Sequence, residues 1–310
     1  MNYKKIIFAV ALFAAAVQLQ AQEHELWYDK PASHWLEALP VGNSHLGAMV
    51  YGGTDVEEIQ LNEETFWAGS PHNNNSAEAK EHLAEVRQLI FDGREKDAHA
   101  IIDKHFFKGP HGMRYLTLGS LKLDFGHKDI TGYRRDLRLG DATVNTLYKS
   151  GAVNYKRTVF ASLADNVVVM RVVTGGKGKL NFKLSHTCPM QASAVASGKE
   201  LTATINNVEQ EGVPGKLKAE MLVHVESDGS VTASGSTLSV NSASVATIYV
   251  TAATNFVSYH DISGNPAAKN RTAMDAAVGK TYESLLAQHV ERYKSQYDLS
   301  LIHISEPTRP

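Results

Sequence analysis

Leu217-Lys218-Ala219-Glu220-Met221-Leu222-Val223-His224-Val225 alternates apolar and polar side chains through most of its length. Successive side chains of an extended segment point to opposite faces. Ala219, Met221, Val223 and Val225 therefore share one side, and Lys218, Glu220 and His224 the other, as in a half-buried β-strand. The pattern recurs in Leu121-Lys122-Leu123-Asp124-Phe125, and further strands are expected over Asn154 to Phe160, Asn166 to Val173, Leu180 to Ser185, Leu201 to Ile205 and Ala246 to Ala252. Turns rich in Gly, Asn, Asp and Ser separate them at short intervals. Parallel pairing needs a long crossover, usually helical, and these intervals leave no room for one. The expected fold is mainly β: a large antiparallel β-sandwich.

Toward the N-terminus, Leu46 to Tyr51 and Glu57 to Leu61 read as strands joined across Gly52-Gly53-Thr54-Asp55. A two-helix insertion follows. Asn75 and Glu78 fit a capping box; Leu83, Val86 and Ile90 recur at helical spacing; Gly93 closes the first helix; and Ala98, Ile101, Ile102 and His105 belong to a second. Near the C-terminus Thr272 to Tyr297 returns to a helical pattern, with Ala276, Leu285, Leu286, His289 and Tyr293 on its faces.

Both ends of the chain need separate treatment. Lys4 and Lys5 precede an apolar run from Ile6 to Val17, and Ala21 offers a small residue for cleavage. That is the pattern of a secretory signal peptide over residues 1–21, implying a periplasmic or secreted product. The run is shorter than the roughly 20 residues of a membrane-spanning helix. At the other end, Leu299 to Arg309 reads LSLIHISEPTR, which does not continue the preceding helical pattern and resembles a translated sequencing adapter. Residues 299–310 are therefore expected to be a non-native tail. The domain reading is a sandwich over residues 22–271 and a helical linker over 272–298.

Of the 310 residues, 43% are hydrophobic and 21% charged, which is ordinary globular composition. Lys and Arg number 31 against 33 Asp and Glu; losing Lys4 and Lys5 moves the balance from -2 to -4, with no basic excess for nucleic acid. The single cysteine, Cys188, excludes an intrachain disulfide and a cysteine-based metal cage. No G-x-S-x-G occurs, and Gly279-Lys280-Thr281 lacks the first glycine of a phosphate loop. Gly175-Gly176-Lys177-Gly178 reads as a hairpin turn, and the fourteen histidines form neither H-x-H nor H-E-x-x-H. No cofactor or metal site is expected.

The densest block of chemistry lies early. It comprises Leu26-Trp27-Tyr28, Trp35, Glu37 to Asn43, Leu46 to Val50, Ile59 to Glu63 and Phe66-Trp67-Ala68-Gly69-Ser70-Pro71. Tryptophan faces can stack on sugar C–H surfaces while Asn and Glu bond hydroxyls, making carbohydrate a natural ligand class. Trp27 and Trp35 are expected to fill a core or domain interface, whereas Trp67, in a loop ending at Pro71, stands open to either role. Glycosidases need two carboxylates flanking the scissile bond. On a strand, however, Glu57 and Glu63 share the apolar face with Ile59 and Leu61, opposite Glu58, Gln60 and Asn62. That placement favours structural roles. Asn43, His45, Asn62, Glu63 and Trp67 are the candidates to face a substrate or a neighbouring domain.

Taken in order, L-W-Y-D-x-P-A, E-A-L-P-V-G-N, L-G-A-M-V, I-Q-L-N-E and W-x-G-x-P resemble the start of glycoside hydrolase family 95, whose members are mainly α-L-fucosidases. The resemblance continues through Tyr115 to Phe125, Tyr133 to Leu139, Thr254-Asn255-Phe256 with Asp261, and His289 to Tyr293, so it covers Glu25 to Asp298. Ser44-His45 departs from it, since family members commonly show a glycine and a basic or aromatic residue there.

The resemblance implies an N-terminal supersandwich, a linker and an (α/α)6 catalytic barrel that hydrolyses with inversion. The chain stops before that barrel and matches none of its catalytic motifs, so no catalytic residue is assigned and the chain alone is expected to be inactive. The implied partners are the catalytic domain in cis and a fucosylated glycan. The alternatives are a free-standing carbohydrate-binding sandwich or the same architecture acting on α-L-galactosides. With the barrel missing, the linker helix is expected to expose Leu285, Leu286 and Tyr293.

Overall fold

The computed structural model describes residues 24–76, 78–107 and 112–304, the last five as backbone only. The signal peptide and residues 305–310 of the expected tail lie outside the described residues.

Nine antiparallel strands form one sheet, in the spatial order β1 (Glu25–Tyr28), β6 (Ile130–Arg138), β7 (Thr143–Ser150), β8 (Val153–Ser162), β9 (Val167–Thr174), β16 (Val245–Thr254), β13 (Lys218–Ser227), β12 (Glu200–Asn206) and β11 (Ala192–Ser197). Seven form the other: β14 (Ser230–Ser234), β15 (Thr237–Ala243), β10 (Leu180–Thr187), β5 (Gly119–Asp124), β4 (Val56–Glu63), β3 (Leu46–Val50) and β2 (Leu39–Gly42). The inner faces enclose one apolar core. From β13, Ala219, Met221, Val223 and Val225 all enter it, as their alternation requires. They share it with Ile59, Leu61, Leu121, Leu123, Leu184 and Val240 from the other sheet. The architecture is the expected antiparallel sandwich.

Local sequence explains several joints. Gly52, between β3 and β4, has φ +76°, and a Cβ there would meet Tyr133 Oη at 2.4 Å. Glycine alone fits, and its N–H donates to buried Glu57 Oε1 at 2.8 Å. Pro40, which cannot donate a ladder hydrogen bond, sits in the edge strand β2. The Gly175–Gly178 turn does not close a hairpin. β9 and β10 belong to different sheets, so the turn carries the chain across the core from one layer to the other.

The insertion consists of α1 (Ala79–Phe91) and α2 (Glu95–His105). The capping box does not form. Glu78 itself stands at the N-cap without a side-chain cap bond, and its Oε2 lies 2.9 Å from His105 Nδ1, spanning the two helices.

The C-terminal region differs most from expectation. In place of one helix from Thr272 there are two, α3 (Pro266–Val278) and α4 (Tyr282–Ile304). Asn265 caps α3 by accepting from Ala268 N at 3.1 Å, and Pro266 occupies the first turn, where a missing N–H costs nothing. Gly279-Lys280-Thr281 separates the helices, Lys280 pairing with Asp165 and reaching Gln288 at 2.7 Å. Helical backbone continues past Asp298 to Ile304.

Nor are the linker side chains left bare. Leu285 is fully buried, Leu286 is partly buried, and Tyr293 Oη donates to Leu139 O at 2.8 Å. The reason lies in the nine-stranded sheet, whose outer face carries Phe160, Val167, Val169, Leu222 and Tyr249; α3 and α4 cover them with Met274, Ala277 and Leu285. The helices already have a packing partner within the chain.

Candidate functional site

The candidate residues gather where the two sheets meet at one end of the sandwich. Asn43 heads the β2–β3 turn. Its Oδ1 accepts from His45 N (3.1 Å) and Leu46 N (2.7 Å), while Nδ2 donates to Ser162 O on β8 at 2.8 Å. One side chain thus shapes a turn in the smaller sheet and fastens it to the larger. Ser44, within that turn, has φ +71°, the left-handed region in which glycine alone carries no Cβ penalty.

His45 bridges the sheets a second time. Its Nδ1 lies 3.0 Å from Glu64 Oε1 and 3.6 Å from Glu63 Oε1, and its Nε2 lies 3.1 Å from Ala252 O on β16. Glu63, opposite Leu46 in the β3–β4 register, is buried. It accepts from Thr65 N at 2.8 Å and from Thr65 Oγ1, whose hydroxyl also meets Thr254 Oγ1 on β16. Burial pushes the Glu63 carboxyl above its ordinary value, against the pull of the Thr65 donors and His45.

Asn62 points the other way, as strand alternation requires, and donates to Leu116 O at 3.0 Å. The structure therefore joins Asn43, His45 and Glu63 in one inter-sheet brace and ties Asn62 to the strand's other face.

Trp67 is the accessible member. Its indole N–H donates to Glu64 O at 2.8 Å, and its ring packs on Tyr115 with centroids 4.9 Å apart. Asn207 Nδ2 clamps the loop by donating to Trp67 O (2.8 Å) and Gly69 O (2.7 Å). Beside the indole lies a shallow hollow of about 210 Å³, lined by Thr65, Pro71, Met113, Phe256 and Tyr259 among others. Such a hollow offers an aromatic wall to a sugar ring or to an apolar side chain of another domain. Trp27 and Trp35 do not enter the core: they are 56% and 52% exposed, against 43% for Trp67, and of the two expected roles a domain interface is the one compatible with that exposure. Trp27 is on β1, the edge strand of the nine-stranded sheet, and Trp35 is in the 3-10 turn Trp35–Glu37 that leads into β2, the edge strand of the other sheet.

Tyr115, Asn207, Thr254 and Tyr259 complete the site from three distant segments; sequence reading placed none of them there, although Tyr115 and Thr254 lie in segments that carry the family resemblance. No local pattern marks a residue whose role comes from a long-range contact. Among the described residues, no group of three or more His, Cys, Asp or Glu side chains is placed to hold a metal.

Comparison with known proteins follows the same line. The family model described as glycosyl hydrolase family 65, N-terminal domain, matches residues 26–259. The chain is 29% identical to alpha-L-fucosidase 2 of Arabidopsis thaliana over 312 aligned residues, which cover 91% of the chain and 36% of that protein. It is 27% identical to a probable alpha-fucosidase A of Aspergillus niger, covering 96% of the chain and 40% of that protein. The chain thus spans well under half the length of these relatives. A solved structure described as a candidate kojibiose phosphorylase from human microbiome shares the fold at a TM-score of 0.50 and 10% identity, over 90% of this chain and 38% of that one. The fucosidase relatives bear out the resemblance read from the sequence.

Proposed function

Because the chain belongs to the glycosyl hydrolase family 65 N-terminal domain family, we propose that it is the non-catalytic sandwich of a longer, exported, inverting α-L-fucosidase that removes terminal fucose from glycans. The catalytic groups belong to an (α/α)6 barrel following the linker, and the Asn62–Pro71 loop faces it. The observation that carries this reading is the alignment itself: proteins named as fucosidases match nearly all of this chain while the chain spans only 36% and 40% of them. The site geometry agrees, since Glu63 is engaged by Thr65 and acts as a brace. In this reading Asn43, His45 and Glu63 hold the loop in shape, and Trp67 with Tyr115 presents the contact surface.

The purified chain incubated with fucosyllactose is expected to release no fucose above a protein-free blank. Sustained turnover would overturn the assignment of catalysis to the barrel. A second reading, a free-standing sugar-binding sandwich, draws on the open Trp67 ring and the hollow beside it. Calorimetry with fucosyllactose separates the two: saturable heat that vanishes in Trp67→Ala selects sugar binding, and absence of heat selects the barrel contact.

A further inference from the structure

The outer face of the nine-stranded sheet holds polar chemistry that the Trp67 site does not use. Leu137, Val144 and Val159 point into the core, so the residues beside them, Asp136, Asn145 and Thr158, point outward. Pairing sets these in a row across adjacent strands, with Trp27 opposite Asp136, Asp136 opposite Asn145, and Asn145 opposite Thr158.

Although the row faces away from the core, Asp136 is only 5% exposed, and Asn145 and Thr158 are likewise buried. Asn145 joins its neighbours, donating to Asp136 Oδ1 at 3.1 Å and accepting from Thr158 at 3.0 Å. Asp136 and Asn145 floor a hollow of about 400 Å³ whose walls include Arg134, Arg138, Glu25 and Lys156. A second hollow, of about 550 Å³, meets it at Leu147 and Lys156 and adds Lys149.

The charges are unevenly satisfied. Arg134 bonds Glu25 at 2.6 Å and stands 3.7 Å from Asp136, so both carboxylates face a cation already in the wall. The Arg134 guanidinium also lies over the Trp27 ring, 4.9 Å from its centroid; Trp27 lines neither hollow itself but borders the first one through Arg134 and its strand partner Asp136. Lys156 and Lys149 are exposed and, among the described residues, have no carboxylate within ion-pairing distance. Trp27 and Lys156 stand on strands three steps apart, about 14 Å at the usual strand spacing. A hydrogen-bonding floor, an aromatic rim and unpaired ammonium groups across that span suit a short chain of sugar rings bearing an acid group.

We propose that this groove binds an anionic oligosaccharide, with one sugar ring against Trp27 and the carboxylate or sulfate group of another at Lys156. The groove lies on a different sheet from Asn62 and shares no lining residue with the hollow beside Trp67, and the proposal does not depend on the fucosidase reading.

Calorimetric titration of the full chain with trigalacturonate, a sulfated galactotriose and neutral galactotriose tests it. At least one anionic ligand is expected to bind saturably and at least tenfold more tightly than the neutral one, the preferred ligand identifying the acid group. Lys156→Ala should abolish that preference and Trp27→Ala should weaken anionic binding at least fivefold, with both variants melting like the parent. Raising the salt should weaken binding, because the cations are exposed. The proposal fails if no anionic ligand binds saturably, if galactotriose binds equally well, or if both variants retain parental affinity.

Discussion

His127 shows how a single side chain makes this sandwich sensitive to pH. Its ring lies 4.0 Å from that of Tyr155 and 5.3 Å from that of Phe125, and Nδ1 is 2.8 Å from Tyr148 Oη. Burial first, and then the Arg157 charge, hold its pKa down to about 4, with Asp55 pulling weakly the other way. The fold prefers the neutral ring, so its contribution is complete above the ordinary value of 6.5 and is lost as pH falls from there toward 4. Urea midpoints at pH 7.5, 5.5 and 4.5 should fall more steeply for the parent than for His127→Gln, whereas parallel curves would remove His127 from the account. Arg157 is itself buried, 2.6 Å from the fully buried Glu57 and close to the Phe125 and Tyr148 rings. Strand alternation alone put Glu57 and Glu63 on the apolar face. The partner of Glu57 was not legible, because Arg157 stands on β8 of the facing sheet and reaches it only across the packed core.

At the scale of elements, α3 and α4 show where periodicity succeeds and where it stops. A helical region with Leu285 on a face was readable, yet the pattern placed its start at Thr272 rather than at Pro266, where Asn265 caps the helix. Pro266–Val278 has only a weak apolar stripe, with Met274 and Ala277 carrying its burial, so little marks its first turns as helix. The partner face was hidden for another reason. Phe160, Val169 and Leu222 sit on three strands, and only the assembled sheet brings them together. Leu285→Ala should cost about 2–5 kcal/mol, the usual range for truncating a buried leucine, measured by urea unfolding. In the parent, amides from Leu285 to Tyr293 should exchange as slowly as those of β9. Rapid exchange there together with a negligible cost for Leu285→Ala would mean that the helix is not docked on the sheet.

Among the described residues, the sandwich core is accompanied by two apolar clusters outside it, one under α3 and α4 and one within the α1–α2 hairpin. Short spacing between strands was enough to choose an antiparallel sandwich, because hairpins are what short connections permit. It could not give the order. The pairs β1 with β6, β9 with β16 and β5 with β10 join segments far apart in sequence, and nothing local encodes which edge meets which. The α1–α2 hairpin stands apart energetically. Val86, Leu89 and Ala98 form a small cluster of their own with Ile101, Ile102 and Phe106, while Ile90, Phe91 and Phe107 remain exposed. A segment with so little buried apolar surface opens at a lower free energy than two sheets whose inner faces share one core. Brief digestion of the native chain with a broad-specificity protease should therefore cut first between residues 78 and 112. The two pieces should then co-elute in gel filtration, because β4 and β5 remain paired across the cut. A first cut inside β7–β9, or separation of the pieces without denaturant, would show that the hairpin is integral to the core.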